Sequence, residues 1–324
     1  MVAAVGITDP LPANAAAHQA STFIEVDSEP GSTFEDAAGG LTLSSSASLS
    51  SSVRDHSFEF GRRYHRYQDG KYAFPDDKPE QEREHMKHFA IITAMGDRLH
   101  YAPIRKNPEN ILDLGTGTGT WCVEMGEQYP SALVQGVDLS SIQPSWAPPN
   151  VQFVIDDAEA QCVYPPDHFD LIHARHTVQA FRDYQGMLAQ AHNDDGSMPP
   201  DFAFARMLQL VGRGLAAMSI NLGGVRDIRN QLERAGFTSI HERTFKVPLG
   251  PWARDALLKK VGAYYRAIAV DGLQAITLRP MCNGLGWTPE EVDVFLGGVR
   301  RSLLDAEVHA YQVLHVIYAQ KAEL

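Results

Sequence analysis

The sequence predicts an α/β fold, with a mostly parallel sheet carrying helices on both faces. Three observations lead there. From residue 110 onward, short apolar runs alternate with helical stretches, as parallel strands with crossover helices require. A glycine-spaced turn, Gly115-Thr-Gly-Thr-Gly119, joins the first run to a helix. Acidic residues mark the ends of successive runs, where open parallel sheets bind their ligands.

Residues 1 to 55 are rich in Ala, Ser, Pro, Gly and acids, and seven of the nine positions from Ser44 to Ser52 are serine. Such a segment buries too little apolar surface to offset its ordering entropy. It reads as a disordered leader, dispensable for folding. Residues 56–324 form the folded domain, divided into an N-terminal helical cap at 56–100, a half at 108–192 and a second half at 193–324. The aromatic and basic run Phe58-Glu-Phe-Gly-Arg-Arg-Tyr-His-Arg-Tyr67 reads as part of the cap, closing over a ligand cleft. Asp76-Asp-Lys-Pro79 supplies capping chemistry for a helix from about Glu80 to Leu99. His85 and His88 share one face of it at a spacing that could hold a metal, but no third ligand is near, so they read as surface histidines.

The alternation follows. Asn110–Leu114 reads as the first strand and Thr120–Gln128 as its helix. Ala132–Val137, Val151–Ile155 and Phe169–His173 are the second to fourth strands, with a helix over about Thr177–His192. A helix over Phe202–Ala217 comes next, then one over Arg226–Ala235 that ends at Gly236. Phe237–Val247 is a strand, Ala253 to about Val270 a helix, Thr288-Pro-Glu-Glu291 the start of another, and His309–Gln320 the last strand.

Charge excludes some functions. Forty acids against 28 bases give −12, and half of that lies in residues 1–55, which hold seven acids and one base. A mildly acidic body lacks the basic footprint of a protein that grips phosphate backbones, so direct nucleic-acid binding is not expected. No apolar run reaches the roughly 18 residues of a membrane span. Residues Met1 to Pro30 contain no Lys or Arg, which fits neither a signal nor a transit peptide, so a cytoplasmic or nuclear, non-secreted protein is expected. Three cysteines, Cys122, Cys162 and Cys282, lack metal or disulfide spacing.

The glycines identify the ligand more closely. Asp113-x-Gly115-x-Gly117-x-Gly119 departs from the dinucleotide spacing, since Thr120 or Cys122 stands where the last glycine belongs. An acid two residues before the first glycine would repel a pyrophosphate and suits a cationic amino group. Asp138, 19 residues after Gly119, can accept from ribose hydroxyls. Asp156 or Asp157 lies one sheet position further out, at the level of an adenine amino group.

These residues resemble the motifs of class I S-adenosylmethionine-dependent methyltransferases: Ile111-Leu-Asp-Leu-Gly-Thr-Gly-Thr-Gly119, Gly136-Val-Asp-Leu139 and Ile155-Asp-Asp-Ala158. Tyr72-Ala-Phe-Pro75, the run Gly136–Asn150 with Ile142-Gln-Pro-Ser-Trp146, and Phe169–Arg175 are similar to the fungal LaeA-like methyltransferases over roughly residues 56–320. The resemblance implies a Rossmann-like methyltransferase fold and S-adenosyl-L-methionine as cofactor. It implies Asp113, Gly115, Gly117 and Gly119 around the methionine part, Asp138 with Leu139 on the ribose, Asp156 or Asp157 with Ala158 at the adenine, and Arg175 toward the sulfonium or the acceptor. A small-molecule acceptor, a role in secondary-metabolite biosynthesis or its regulation, and a possible regulatory protein partner are implied too.

One departure stands out. Met187-Leu-Ala-Gln-Ala-His192 runs directly into Asn193-Asp-Asp-Gly-Ser-Met-Pro-Pro200, with no room for the family's fifth strand. About twenty residues are missing by comparison with that pattern. The expectation is a sheet of at most six strands whose last strand pairs beside the fourth or leaves that edge to a helix. The acceptor pocket should be more open, with cofactor binding retained and methyl transfer weakened. The alternative function is a catalytically impaired relative that works by binding, and a nicotinamide oxidoreductase is disfavoured by the glycine spacing. Catalytic residues stay unassigned; His173 and His176, flanking Arg175, are the candidate bases.

Overall fold

The computed structural model describes residues 23–27, 55–160, 164–177, 191–220 and 228–322. The cap begins as a β-hairpin rather than with the helix. Strands β1 (His56–Glu59) and β2 (Arg62–His65) pair antiparallel around Phe60 and Gly61, whose φ values of 52° and 75° form the two-residue turn that matches strand twist. The alternation of aromatic and basic residues that suggested a lid is thus the alternation of a strand. Arg62 and Arg63 donate to Asp77 and Asp76 and fasten the hairpin to the helix that follows.

Helix α1 (Lys78–Ala94) is capped by Asp77, whose side chain accepts from the Glu80 N–H. It ends five residues short of expectation. Gly96 takes the left-handed conformation (φ 69°), and the Asp97 N–H returns to the Ile92 carbonyl at 2.9 Å, a glycine-based C-terminal cap.

Strands β3 (Asn110–Leu114), β4 (Leu133–Asp138), β5 (Val151–Ile155) and β6 (Leu171–Ala174) form one parallel sheet in the order β5-β4-β3-β6. Helix α2 (Thr120–Gln128) connects β3 to β4. Ile111, Val134, Val151 and Leu171 from the sheet pack with Trp121, Cys122 and Met125 of α2. Asn150 donates its side-chain amide to the carbonyls of Gly126, Tyr129 and Ala132, so it closes the end of α2 onto the start of β4. The helix expected over Thr177–His192 lies almost wholly outside the described residues.

A helical layer follows: α3 (Ala203–Ala217), α4 (Ile228–Arg234), α5 (Ala256–Arg279) and α6 (Pro289–Leu304). Helix α5 extends nine residues past its expected end, because nothing between Val270 and Pro280 breaks it; Pro280 opens a π turn over Pro280–Gly284. Phe204, Met207, Val211, Leu215, Leu273, Met281 and Leu296 fill this core. Backbones touch closely at Gly214, where a Cβ would lie 2.1 Å from the Pro280 carbonyl oxygen. Helix α6 carries the expected capping box from Thr288 and Glu291.

The C-terminal strands do not join the parallel sheet among the described residues. Strands β7 (Phe237–Pro248) and β8 (Tyr311–Lys321) pair antiparallel as a sheet of their own. No strand is present between His192 and Pro200; His192 forms only an isolated bridge to Tyr311. The expectation that the last strand pairs beside the fourth is therefore corrected. With the fifth strand's residues missing, the register that would link the two sheets has no backbone to carry it.

The leader expectation needs correction too. Within it, Phe23–Asp27 docks on the body: Val26 bridges Ala253, the Asp27 N–H donates to the Trp252 carbonyl, and Ile24, 3% exposed, packs on Ala253, Leu258 and Trp252. Lys259 and Asp27 form an ion pair beside it. A short apolar run, Phe23-Ile-Glu-Val26, found a hydrophobic niche that the composition of the leader did not reveal. Removing residues 1–54 should lose the burial of Ile24, worth about 1.5–3 kcal/mol, and lower the melting temperature by about 5 °C. Calorimetric melting of that truncation against the full chain checks this; coincident transitions would show the docking to be energetically idle.

Candidate active site

A cavity opens at the carboxyl ends of the parallel strands, lined by residues of the glycine loop, the strand ends, α1 and the hairpin segment. All ten residues anticipated from sequence concern this one region. Asp113, Gly115, Gly117, Asp138, Leu139, Asp156, Asp157, Ala158 and Arg175 line it. Gly119 stands just behind, as the N-cap of α2.

The glycine loop is built for close approach. Gly115, Gly117 and Gly119 have φ of 69°, 57° and 75°, a region that L side chains rarely adopt. A Cβ on Gly119 would strike the Phe153 ring at 2.6 Å, and one on Gly115 would strike Thr177 Cγ2 at 2.6 Å. At Gly117 it would meet nothing within 4 Å, so the missing side chain leaves free space on the loop. The N–H groups of Gly115 and Thr116 are tied to the Val137 carbonyl, and Gln143 donates to the Gly117 carbonyl at 2.8 Å. Through Gln143, the Ile142–Trp146 run pins the loop from the β4 side.

The acids differ in their surroundings. Asp138 accepts the Gly117 N–H at 2.7 Å on one oxygen, and the Ser140 N–H and hydroxyl at 2.9 and 2.7 Å on the other. It joins the glycine loop to the end of β4. Asp113, 3% exposed, accepts from His173 Nδ1 at 2.6 Å. The parallel register sets these two residues side by side. His173 also stacks on Trp121 with ring centroids 3.8 Å apart, and burial holds it below the ordinary imidazole range. Its Nδ1 orients Asp113. Asp156 accepts the Asp157 N–H, and Asp157 forms an ion pair with Lys71, which also reaches Glu159 at 3.0 Å. Lys71, from the segment after the hairpin, is tied in this way to the residues that follow β5. No sequence signal marks it, because the pair spans 86 positions.

Among the described residues Arg175 has no carboxylate ion pair. Its Nη2 donates to His88 Nδ1 at 2.7 Å, and His88 Nε2 meets Glu124 at 2.9 Å. His88, read as a surface histidine, is 5% exposed and lines the cavity, because α1 turns that face inward. The same face carries a buried charge network. Arg83 pairs with Glu80 and Glu84, and Glu84 with Lys87. Burial pushes the Glu84 carboxyl upward, but Lys87 and Arg83 outweigh it and hold the group at about 2. Gly272 on α5 leaves the room that Arg83 occupies, a Cβ there lying 3.0 Å from Arg83 Cδ.

His65 and His176 line the cavity, although the Nε2 atom of each is covered and has no hydrogen-bond partner among the described residues. The side-chain-free space at Gly117 leaves room beside the loop, and the donors and acids of the cavity match the zwitterionic methionine end, the ribose and the adenine of S-adenosylmethionine. Burial is also the main cause that lowers the imidazole pKa of His65, His100, His173 and His176 from 6.5. The unfolded chain then binds protons that the folded chain refuses as pH falls below about 6.5, so stability should drop from pH 7 toward pH 5 by up to about 1.4 kcal/mol per pH unit per histidine. Melting at pH 7.5 and 5.5 at constant ionic strength measures it. A melting temperature equal or higher at pH 5.5 would contradict it.

Among the described residues no helix is long and apolar enough to cross a membrane. A methyltransferase-domain family model matches residues 83–242. "Methyltransferase pytC" of Aspergillus terreus is 39% identical, the match covering 88% of this chain and 94% of the relative. "Secondary metabolism regulator laeA" of Aspergillus flavus is 30% identical, with 87% and 82% covered. A putative methyltransferase from an antibiotic biosynthesis pathway of Anabaena variabilis aligns in structure with a TM-score of 0.40 at 15% identity, over 70% of this chain and 96% of that one. With the glycine loop, the strand-end acids and these relatives together, the chain belongs to the class I S-adenosylmethionine-dependent methyltransferases, in the fungal LaeA-like family.

Proposed function

We propose that this methyltransferase holds S-adenosyl-L-methionine across the ends of β3, β4 and β5 and methylates a small molecule of fungal secondary metabolism. The observation that carries the reading is the registered set of acids around the glycine loop: Asp113, Asp138 and Asp157 on three adjacent strands of one cavity. Asp113 and Arg175 complement the ammonium and carboxylate of the methionine end. Asp138 accepts from the ribose hydroxyls, with Leu139 beside the sugar. Asp156, Asp157 and Ala158 meet the adenine, with Lys71 paired to Asp157. The cofactor, when bound, supplies an activated methyl group on a sulfonium. The chain's own part is alignment and exclusion of water, the main demands of a direct displacement.

The acceptor side supports activity despite the missing strand. Among the described residues, the cavity wall ends at Thr177, and its acceptor-side members Tyr72, Glu80, Gln81, Glu84, Lys87 and His88 come from the cap and α1. The expected opening of the pocket follows only if the missing segment belonged to this wall. A concave site lined this way suits a small acceptor better than a protein surface. A binding-only role is not favoured over methyl transfer. Isothermal titration with S-adenosylmethionine, and with NAD as control, tests the cofactor; a screen of hydroxylated and amine-bearing metabolites with labelled methyl tests the acceptor. Binding of NAD in preference to S-adenosylmethionine would overturn the reading.

A further inference from the structure

Helix α1 turns one face into the cavity. Gln81, Glu84, Lys87 and His88 recur on it at helical spacing and line the wall, whereas Arg83 does not line it. On the proposed reading, which this inference rests on, the cofactor lies along the ends of β3, β4 and β5, and this face is left to the acceptor. The Glu84 carboxylate stands near the end of β6, since its charge acts on Arg175 and His176, the residues that follow that strand.

The two oxygens of Glu84 differ in what they meet. Oε1 accepts from Arg83 Nη2 and from Lys87 Nζ, each at 2.5 Å. Oε2 accepts no hydrogen bond among the described residues and, unlike His176 Nε2, is not covered. The Glu84 side chain is 30% exposed, against 11% for Arg83 and 12% for Lys87, so its second oxygen opens on the cavity that the residue lines. Among the described residues the Lys87 ammonium is hydrogen-bonded to Glu84 alone, which leaves its other donors uncommitted. Arg83 holds Glu84 from behind and is itself held by Glu80, so the carboxylate is fixed before anything enters.

We propose that Glu84 and Lys87 select the methyl acceptor as a pair, Oε2 accepting from a hydroxyl and Nζ donating to an oxygen on the neighbouring carbon. Nζ sits on Oε1, and Oε1 and Oε2 share one carbon, so the open acceptor and the open donors are adjacent. That spacing suits two oxygens on neighbouring carbons, as in a catechol or an α-hydroxy ketone. Both contacts position the acceptor, and neither removes its proton. Lys87 and Arg83 hold the Glu84 carboxyl at about 2 against its burial, so it is ionised and too weak a base to take a hydroxyl proton. An acceptor without the hydroxyl leaves Oε2 desolvated and unpaired, which is the basis of the selection. Glu80 and Glu84 are already matched by Arg83 and Lys87 on this wall. A protonated amine beside the sulfonium therefore finds no uncommitted counter-charge there, and a neutral hydroxylated molecule is favoured.

The test uses the full chain, and its first step needs no variant. Calorimetry establishes the S-adenosylhomocysteine complex, and ligand-observed NMR then titrates it with catechol, phenol and 1,2-dimethoxybenzene. Catechol should bind about tenfold or more tighter than 1,2-dimethoxybenzene, which lacks the donor, with phenol, which lacks the neighbouring oxygen, in between. Glu84→Gln and Lys87→Met should each remove most of the preference for catechol while the protein still binds S-adenosylhomocysteine. A merely structural role would weaken all three probes alike. That result, equal affinity of the wild type for the three probes, no binding of catechol, or variants that keep the preference, overturns this inference and leaves the cofactor reading standing. Failure of S-adenosylhomocysteine to bind the wild type overturns both.

Discussion

Arg83→Leu should cost about 3–5 kcal/mol of folding stability, because it leaves the buried Glu80 carboxylate without its cation. Glu80 is 4% exposed and its side chain faces the Arg83 guanidinium with an Nε contact of 2.9 Å; Glu84 shares the same guanidinium. Lys87 still pairs with Glu84, so Glu80 bears most of the loss. A drop in melting temperature of about 10 °C is expected. Double replacement, Arg83→Leu with Glu80→Leu, should recover part of it, since removing both partners removes the uncompensated charge. A single variant that melts within about 2 °C of wild type, or a double variant worse than the sum of its parts, would show that the network does not act as a unit. Because this network forms the acceptor-side floor of the cavity, the single variant should also lose acceptor turnover more than cofactor affinity.

Asp138→Ala should weaken S-adenosylmethionine about 10- to 150-fold, the equivalent of a charge-assisted hydrogen bond of about 1.5–3 kcal/mol. The expected loss lies toward the upper end. Asp138 holds the Gly117 N–H at 2.7 Å and both donors of Ser140, so its removal also frees the loop that surrounds the methionine part. Asp138→Asn separates the two effects: an amide oxygen can keep one loop contact while the carboxylate charge is lost. Titration calorimetry of the three proteins decides it, and equal dissociation constants for wild type and Asp138→Ala would reject the ribose assignment. The melting temperature of each variant serves as the control for a nonspecific loss of the fold.

The relation between sequence and site is uneven, and the reasons are physical. Strand β3 and helix α2 have their expected boundaries in the structure, and β5 does as well. Their sequences carry local information: an apolar run, a glycine loop, an acid at the end. Asp113, Gly117, Asp138 and Asp157 were legible for the same reason, because position along a parallel strand fixes which end of the sheet a residue reaches. The hairpin at 56–65 had a signal in Phe60-Gly61, but it was masked by an aromatic pattern that also suits a lid. The length of α5 was underestimated because a helix with no breaker stops only where Pro280 stops it.

Other features had no local signature. Lys71 reaches Asp157 across 86 positions, and Arg175 reaches His88 across 87. Whether a histidine is a base, an orienting group or a bystander depends on what its nitrogens meet: His173, His176 and His88 are equivalent in composition and differ only in their neighbours. Ile24 found its niche on Trp252 and Leu258 from far away in the chain. The sequence by itself determined the parallel sheet, the glycine loop, the ends at which the acids stand and the absence of a strand between His192 and Pro200, since all of these follow from periodicity and backbone preference over a few residues. The tertiary structure alone decided that the last two strands form a separate sheet and that α1 turns its charged face into the cavity, because pairing and burial are set by contacts between residues far apart in the chain.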